Sequence, residues 1–292
     1  MNKDIKEKFG FTLAEGATHV GIFHNTRRVG FTLAEVLITL GIIGIVSAMT
    51  IPTLVKKYQE KIIINQVWNS YAMLNEAFKR AINDHGHVNE WCNIQTVNDY
   101  PICAEKIRDL LSQYLKISKN CTSWLYMGKC MNGNLKYTST QGEKDLIHFQ
   151  SGYFKSMILQ NGMGLTIDAR NWGNSSSSWC KIATNLQKEQ QINALSSNNC
   201  GFLYLDLNGN KGPNKDGVDL FAFSIRNNGL VAHGQDGLHT HISFERNCLK
   251  KPMTSPDQGR GSCTSWILQN RNLDYLHCPE KLGWNKARSC EE

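Results

Sequence analysis

From Phe31 to Val55 the chain is apolar except for a single carboxylate, Glu35. A helix needs about 20 apolar residues to cross the hydrocarbon core of a bilayer, so this run predicts a membrane-spanning helix over 31–55. Gly41 and Gly44 are tolerated in such a helix. Pro52 is expected to kink it or melt it locally, because proline removes a backbone donor. Lys56 and Lys57 mark the exit from the apolar zone. Beyond them the period stays helical but becomes one-sided: Ile63, Ile64, Val67, Trp68, Tyr71, Leu74, Phe78 and Ile82 recur every three or four residues. Asn83-Asp84-His85-Gly86 supplies the stop. One helix over 31–85 follows.

After residue 87 the pattern changes. Ala104–Ile117 reads as a short amphipathic helix. Short strands are expected near Leu135–Thr138, Ser156–Leu159, Gly164–Asp168, Phe202–Leu207, Leu220–Ile225 and Leu230–His233. Asn161-Gly162 and Asn228-Gly229 are hairpin turns between such strands. Ser175–Ser178 reads as a surface loop, and the last 45 or so residues as a stapled, loop-rich tail with little periodicity. The fold class is α+β: a long N-terminal transmembrane-plus-amphipathic helix, packed on an antiparallel sheet head with a disulfide-rich loop tail.

Ten cysteines occur, all after residue 90: Cys92, Cys103, Cys121, Cys130, Cys180, Cys200, Cys248, Cys263, Cys278 and Cys290. An even number confined to one region argues for disulfides in an oxidising compartment. Zinc sites use tight C-x₂₋₄-C pairs, and the shortest spacing here is nine residues. Pairing of sequence neighbours (92–103, 121–130, 180–200, 248–263, 278–290) is the simplest of many arrangements. The formal charge of +7 comes without a basic block longer than a pair outside termini and turns, so no nucleic-acid partner is expected.

An ionisable residue at the head of a membrane-grade run needs a partner and a role. An ordinary secretory signal is cut after its apolar segment in a small-x-small context; here that segment ends Met49-Thr-Ile-Pro-Thr53. The stretch Gly30-Phe31-Thr32-Leu33-Ala34-Glu35, preceded by Arg27-Arg28 and followed by the run to Pro52, resembles the processing site of type IV pilins and type II secretion pseudopilins. The resemblance covers residues 27 to about 60. It implies a removed leader (1–30), a stalk helix (31–85) and a globular disulfide-rich head (86–292). It further implies cleavage between Gly30 and Phe31 by a prepilin peptidase, methylation of the new Phe31 amine, and an assembly role for Glu35 facing the terminal amine of a neighbouring subunit. Implied partners are that peptidase, other pilin or pseudopilin subunits and an inner-membrane assembly platform. The implied location is the bacterial inner membrane before assembly, with the head in the periplasm or outside the cell, and a filament afterwards. The leader also repeats the motif at Gly10–Glu15, twenty positions earlier, without an apolar run behind it. That copy reads as an inert duplication.

Other candidates concern the head. Asp206, Asn208, Asn210, Asn214, Asp216 and Asp219 place six oxygen-bearing side chains in fourteen residues, a pattern that could wrap a calcium ion. The loop opens like an EF-hand, but Lys211 replaces the required glycine and Gly217 the terminal glutamate. A long turn between strands accounts for the same composition. The resemblance adds weight to calcium, because several pseudopilin heads carry a calcium loop. His233, Asp236, His239 and His241 form a second cluster, readable as a transition-metal site or as a solvated turn. Trp172 and Trp179 beside the serine loop are readable as a sugar-binding surface or as core. No G-x-S-x-G, P-loop or complete G-x-G-x-x-G occurs, which argues against an enzyme. Three readings stand: a structural filament subunit, a minor pilin acting as an adhesin or DNA-uptake tip, and a metal-binding or enzymatic head on a pilin-type anchor.

Overall fold

The computed structural model describes residues 30–94, 96–121, 130, 138–139, 142–143, 154–170, 180, 199–209, 211, 215–235, 243–249 and 261–292. The chain divides into two units, 1–52 and 53–292. Helix α1, Leu33–His85, starts in the first and ends in the second.

In the first unit α1 begins with a reciprocal cap. Thr32 Oγ1 accepts the Glu35 N–H at 3.2 Å, while Glu35 Oε2 accepts the Thr32 N–H at 2.8 Å and the Thr32 hydroxyl at 2.9 Å. These bonds satisfy donors that the first helical turn otherwise leaves open. Further along, the Thr39 and Thr50 hydroxyls donate to the carbonyls of Val36 and Val46. Both hydroxyls are thereby satisfied within the helix, as a lipid setting requires. Pro52 lies inside α1. The helix continues through it, so the local melting expected from its sequence does not occur.

In the second unit the one-sided stripe of α1 is buried as its period requires, through Ile64, Val67, Leu74 and Phe78 together with the small residues Ser70, Ala77 and Ala81. The helix stops where expected: Gly86 adopts φ +78°, a conformation that costs glycine least, and its N–H bonds the Ile82 carbonyl. Helix α2, Tyr100–Leu111, follows. It ends earlier than the expected Ala104–Ile117. After Leu111 the chain tightens into i→i+3 bonds, and the Lys116 carbonyl accepts the Gln160 N–H from the facing hairpin. Ile117 is thus recruited as the first residue of a strand, β1 (Ile117–Cys121), which the polar sequence Ile-Ser-Lys-Asn-Cys did not announce. Tertiary pairing overrides a weak local signal here.

The remaining strands are β2 (Thr138–Ser139), β3 (Gly142–Glu143), β4 (Phe154–Leu159), β5 (Gly164–Asp168), β6 (Asn199–Asp206), β7 (Leu220–Arg226) and β8 (Gly229–Ala232). β2 and β3 form a two-stranded pair; the others make one antiparallel sheet in the order β1-β4-β5-β6-β7-β8. Of the strand expected near Leu135–Thr138, only Thr138 belongs to the described residues, in β2. Asn161-Gly162 and Asn228-Gly229 turn the β4–β5 and β7–β8 hairpins as expected.

The register divides the sheet into two unlike faces. Met157, Leu165, Leu205 and Phe221 form one cross-strand row, and Ile167, Leu203 and Phe223 the next. This apolar face meets α1, with Tyr71 stacked on Phe223 at 5.7 Å, and α2, whose Glu105 pairs with Lys155 at 3.2 Å. The other face carries Ser156, Thr166, Asp168, Ser224 and Arg226, all buried despite their polarity.

All five disulfides join sequence neighbours: Cys92–Cys103, Cys121–Cys130, Cys180–Cys200, Cys248–Cys263 and Cys278–Cys290, with Cα–Cα separations from 4.3 to 6.3 Å. The C-terminal segment is stapled and rich in turns as expected, and short helices punctuate it. It holds α3 (Phe244–Asn247) and α4 (Thr264–Asn270), and α4 packs on β7 and β8. Phe244 stacks on Trp266 at 4.2 Å, with Trp284 and Tyr275 around them. Each polar edge is satisfied: Trp266 Nε1 donates to Asn272 Oδ1, Trp284 Nε1 to the Gly234 carbonyl, and the Tyr275 hydroxyl to the Gly217 carbonyl. Non-periodic aromatics thus extend the core shared by α1, α2 and the sheet into the C-terminal segment. Trp266→Ala is expected to cost about 3–5 kcal/mol of stability in chemical denaturation, as for other large-to-small changes at fully buried aromatics.

Candidate functional site

Two places collect the residues singled out from the sequence. The first is the start of α1. Gly30, Phe31 and Thr32 precede the helix and are exposed, and a Cβ placed on Gly30 would meet nothing within 4 Å. The Gly30–Phe31 peptide bond therefore lies in open, non-helical backbone, the form a peptidase needs. Glu35 is held one turn away by Thr32, a contact the sequence reading did not single out. The T-x-x-E spacing of a capping box was its available signal. Arg27, Arg28 and the repeated motif at 10–15 lie outside the described residues.

The apolar run behind this start buries nothing of itself. The most hydrophobic 18-residue window of α1 has a mean hydropathy of 2.1 and none of it is covered. Among the described residues, every large exposed hydrophobic side chain except Ile102 falls between Phe31 and Ile62. By length and composition α1 can cross a membrane. A patch of this size is a surface waiting for lipid or protein.

The second place is the β6–β7 connection. Asp206 is fully buried and Asp219 nearly so. Asp206 Oδ1 accepts the N–H groups of Asn208 and Gly209 at 3.1 and 3.0 Å. Asp219 accepts from Asn208 Nδ2 at 3.0 Å and from the Lys215 N–H. Asp216 accepts the Gly261 N–H at 2.8 Å, which ties the loop to the C-terminal segment. Gly209 is required by geometry: its φ is +63°, and a Cβ there would collide with the Gly162 carbonyl oxygen in the β4–β5 turn. The carboxylates thus serve as caps for turns, the work their sequence also allowed. Among the described residues no group of three His, Cys, Asp or Glu side chains could hold a metal ion. A calcium cage would also draw on Asn210 and Asn214, which lie outside the described residues.

Burial raises the Asp206 carboxyl from 3.8 to about 7, and the neighbouring Asp219 charge adds to the effect; the two backbone N–H bonds act against it. His233 is a buried residue set edge-on to Phe202 at 5.2 Å. Asp236, His239, His241, Trp172, Trp179 and the loop Ser175–Ser178 lie outside the described residues.

Comparison with known families identifies residues 27–51 as a prokaryotic N-terminal methylation motif. The match covers the start of α1 together with the two arginines before Gly30. No curated protein and no solved structure matches the chain. The motif is that of prepilin-type subunits, and the apolar helix and the five disulfides accord with it.

The Asp206 environment has a measurable consequence. The folded state holds this proton up to about pH 7, whereas the unfolded chain releases it near the ordinary carboxylate value. Stability therefore falls as pH rises from about 4 to about 7 and then levels, by on the order of a few kcal/mol at most. Asp206→Asn keeps the acceptor for both N–H groups and removes the charge. It is expected to raise the melting temperature at pH 8, to leave it nearly unchanged at pH 4, and so to flatten the slope measured in chelator.

Proposed function

We propose that this chain is a structural subunit of a type IV pilus or type II secretion filament, cut by prepilin peptidase between Gly30 and Phe31 and methylated on the Phe31 amine. The observation that carries the reading is a coincidence of place. The methylation motif at 27–51 falls on the one stretch whose apolar side chains the described chain leaves wholly uncovered. Before assembly the bilayer covers that surface; after assembly, the equivalent helices of neighbouring subunits do. Both environments reward burial of every large side chain from Phe31 to Val55.

Glu35 then has a definite task. A carboxylate in hydrocarbon is costly without a cation, and cleavage creates a new terminal amine at Phe31. Pairing of Glu35 with the amine of the next subunit would set the axial register between stalk helices. Thr32 holds the carboxylate at the head of the helix until that partner arrives. The head contributes no bond-making chemistry in this reading: its work is to be carried by the stalk and displayed on the filament surface. The inner-membrane assembly platform and other pilin or pseudopilin subunits are its partners.

Two measurements test the proposal. Mass spectrometry of the N-terminal peptide, from cells that also make a prepilin peptidase, is expected to find a chain beginning at Phe31 with one added methyl group. An N-terminus at Met1, or one beyond Val55, would overturn it. Glu35→Ala is expected to leave membrane insertion and cleavage intact while fibres, scored by shearing and electron microscopy, fall at least tenfold. Fibres in normal number from this variant would remove Glu35 from the assembly role.

A further inference from the structure

The polar face of the sheet holds an unexplained charge. Arg226, the last residue of β7, is only 3 % exposed, yet among the described residues no hydrogen bond or ion pair engages its guanidinium, and its Nε is fully buried without a partner. The other buried charges differ. Arg108, equally buried, donates to Asp109, Glu105 and the Cys121 carbonyl. Asp168 is gripped by Arg170 through bonds of 2.7 to 3.0 Å. A buried charge without a counter-charge is among the most costly arrangements a protein can hold, so an unpaired one asks for a partner from outside the chain.

Its surroundings match that need. Ser224, two residues earlier on β7, projects to the same face because strand side chains alternate. It is fully buried, and among the described residues its Oγ also has no partner. Asn199 stands opposite Arg226 across the β6–β7 pair; its Oδ1 faces the Gly201 N–H at 3.2 Å, which leaves its amide NH₂ for another acceptor. On the β8 side the register partner of Arg226 is Gly229, which adds no side chain. A guanidinium, a hydroxyl and an amide thus share one end of the β6–β7–β8 surface, and among the described residues no acidic side chain pairs with them. The burial that strips water from Arg226 also lowers its proton affinity.

We propose that Arg226, Ser224 and Asn199 form a binding site for a small oxyanion, a carboxylate or a phosphate group. A planar guanidinium offers parallel N–H donors matched to two oxygens of such a group, and the hydroxyl and amide supply further donors to its remaining lone pairs. This site is separate from α1 and does not depend on the filament reading.

The test uses the full chain purified in detergent, in chloride buffer at constant ionic strength. Sodium phosphate and sodium acetate are titrated separately while thermal unfolding is followed. Wild type is expected to gain several degrees along a saturating curve with at least one of them. Arg226→Met is expected to lose the response, and Ser224→Ala to weaken the apparent affinity roughly fivefold to tenfold. A response to acetate as well as phosphate identifies a carboxylate reader, which an acidic side chain of another protein can fill; a response to phosphate alone identifies a phosphoryl site. Equilibrium dialysis of labelled phosphate and acetate against wild type stands independent of how any variant folds. If neither anion binds saturably to wild type, or if Arg226→Met responds as wild type does, the site does not exist.

Discussion

The rest of this structure depends on apolar surface that the described chain leaves uncovered. From Phe31 to Ile62 the large hydrophobic side chains point outward with no described residue to receive them. At roughly 25 cal/mol per Å², leaving such a surface in water is untenable, so the protein is defined by the medium or neighbours that cover it. From Ile64 onward α1 obeys the opposite rule and buries a narrow stripe against the sheet. One helix therefore answers to two solvents, and the change from all-round to one-sided apolarity is written in the sequence.

Much of the fold was legible because strong periodic signals dominate it. The stalk helix, its glycine stop, both Asn-Gly hairpins, five of the strands and the neighbour pairing of the cysteines follow from spacing or turn chemistry. The misses share a cause. β1 is an edge strand whose polar residues carry no alternation, and only the facing hairpin makes it a strand. Helix α2 was overextended because Leu115 and Ile117 continue its apolar period, although Ile117 belongs to the sheet. The aromatic packing of the C-terminal segment gave no signal because Phe244, Trp266, Tyr275 and Trp284 are scattered along the chain, and their convergence is a property of tertiary structure alone.

The candidate sites were legible to different degrees. Gly30, Phe31 and Glu35 stand out because charge and glycine are conspicuous beside an apolar run. The acidic loop at 206–219 is conspicuous by composition, and its described carboxylates accept backbone N–H groups and the Asn208 amide, a use that composition does not distinguish from metal binding. Arg226 gave no signal at all. A lone arginine at a strand end is ordinary in sequence, and only its burial without a counter-charge sets it apart.

The sheet is a simple meander, and each disulfide closes on the next cysteine in the chain. The closed loops are short, with separations of 9 to 20 residues. A polypeptide threaded across a membrane from its N-terminal side presents its cysteines in that same order. An oxidase that joins each thiol to the one emerging after it arrives at the native set directly, with no mispaired bond to reshuffle. Under the filament reading proposed above, this connectivity would free the head from dependence on a disulfide isomerase during export.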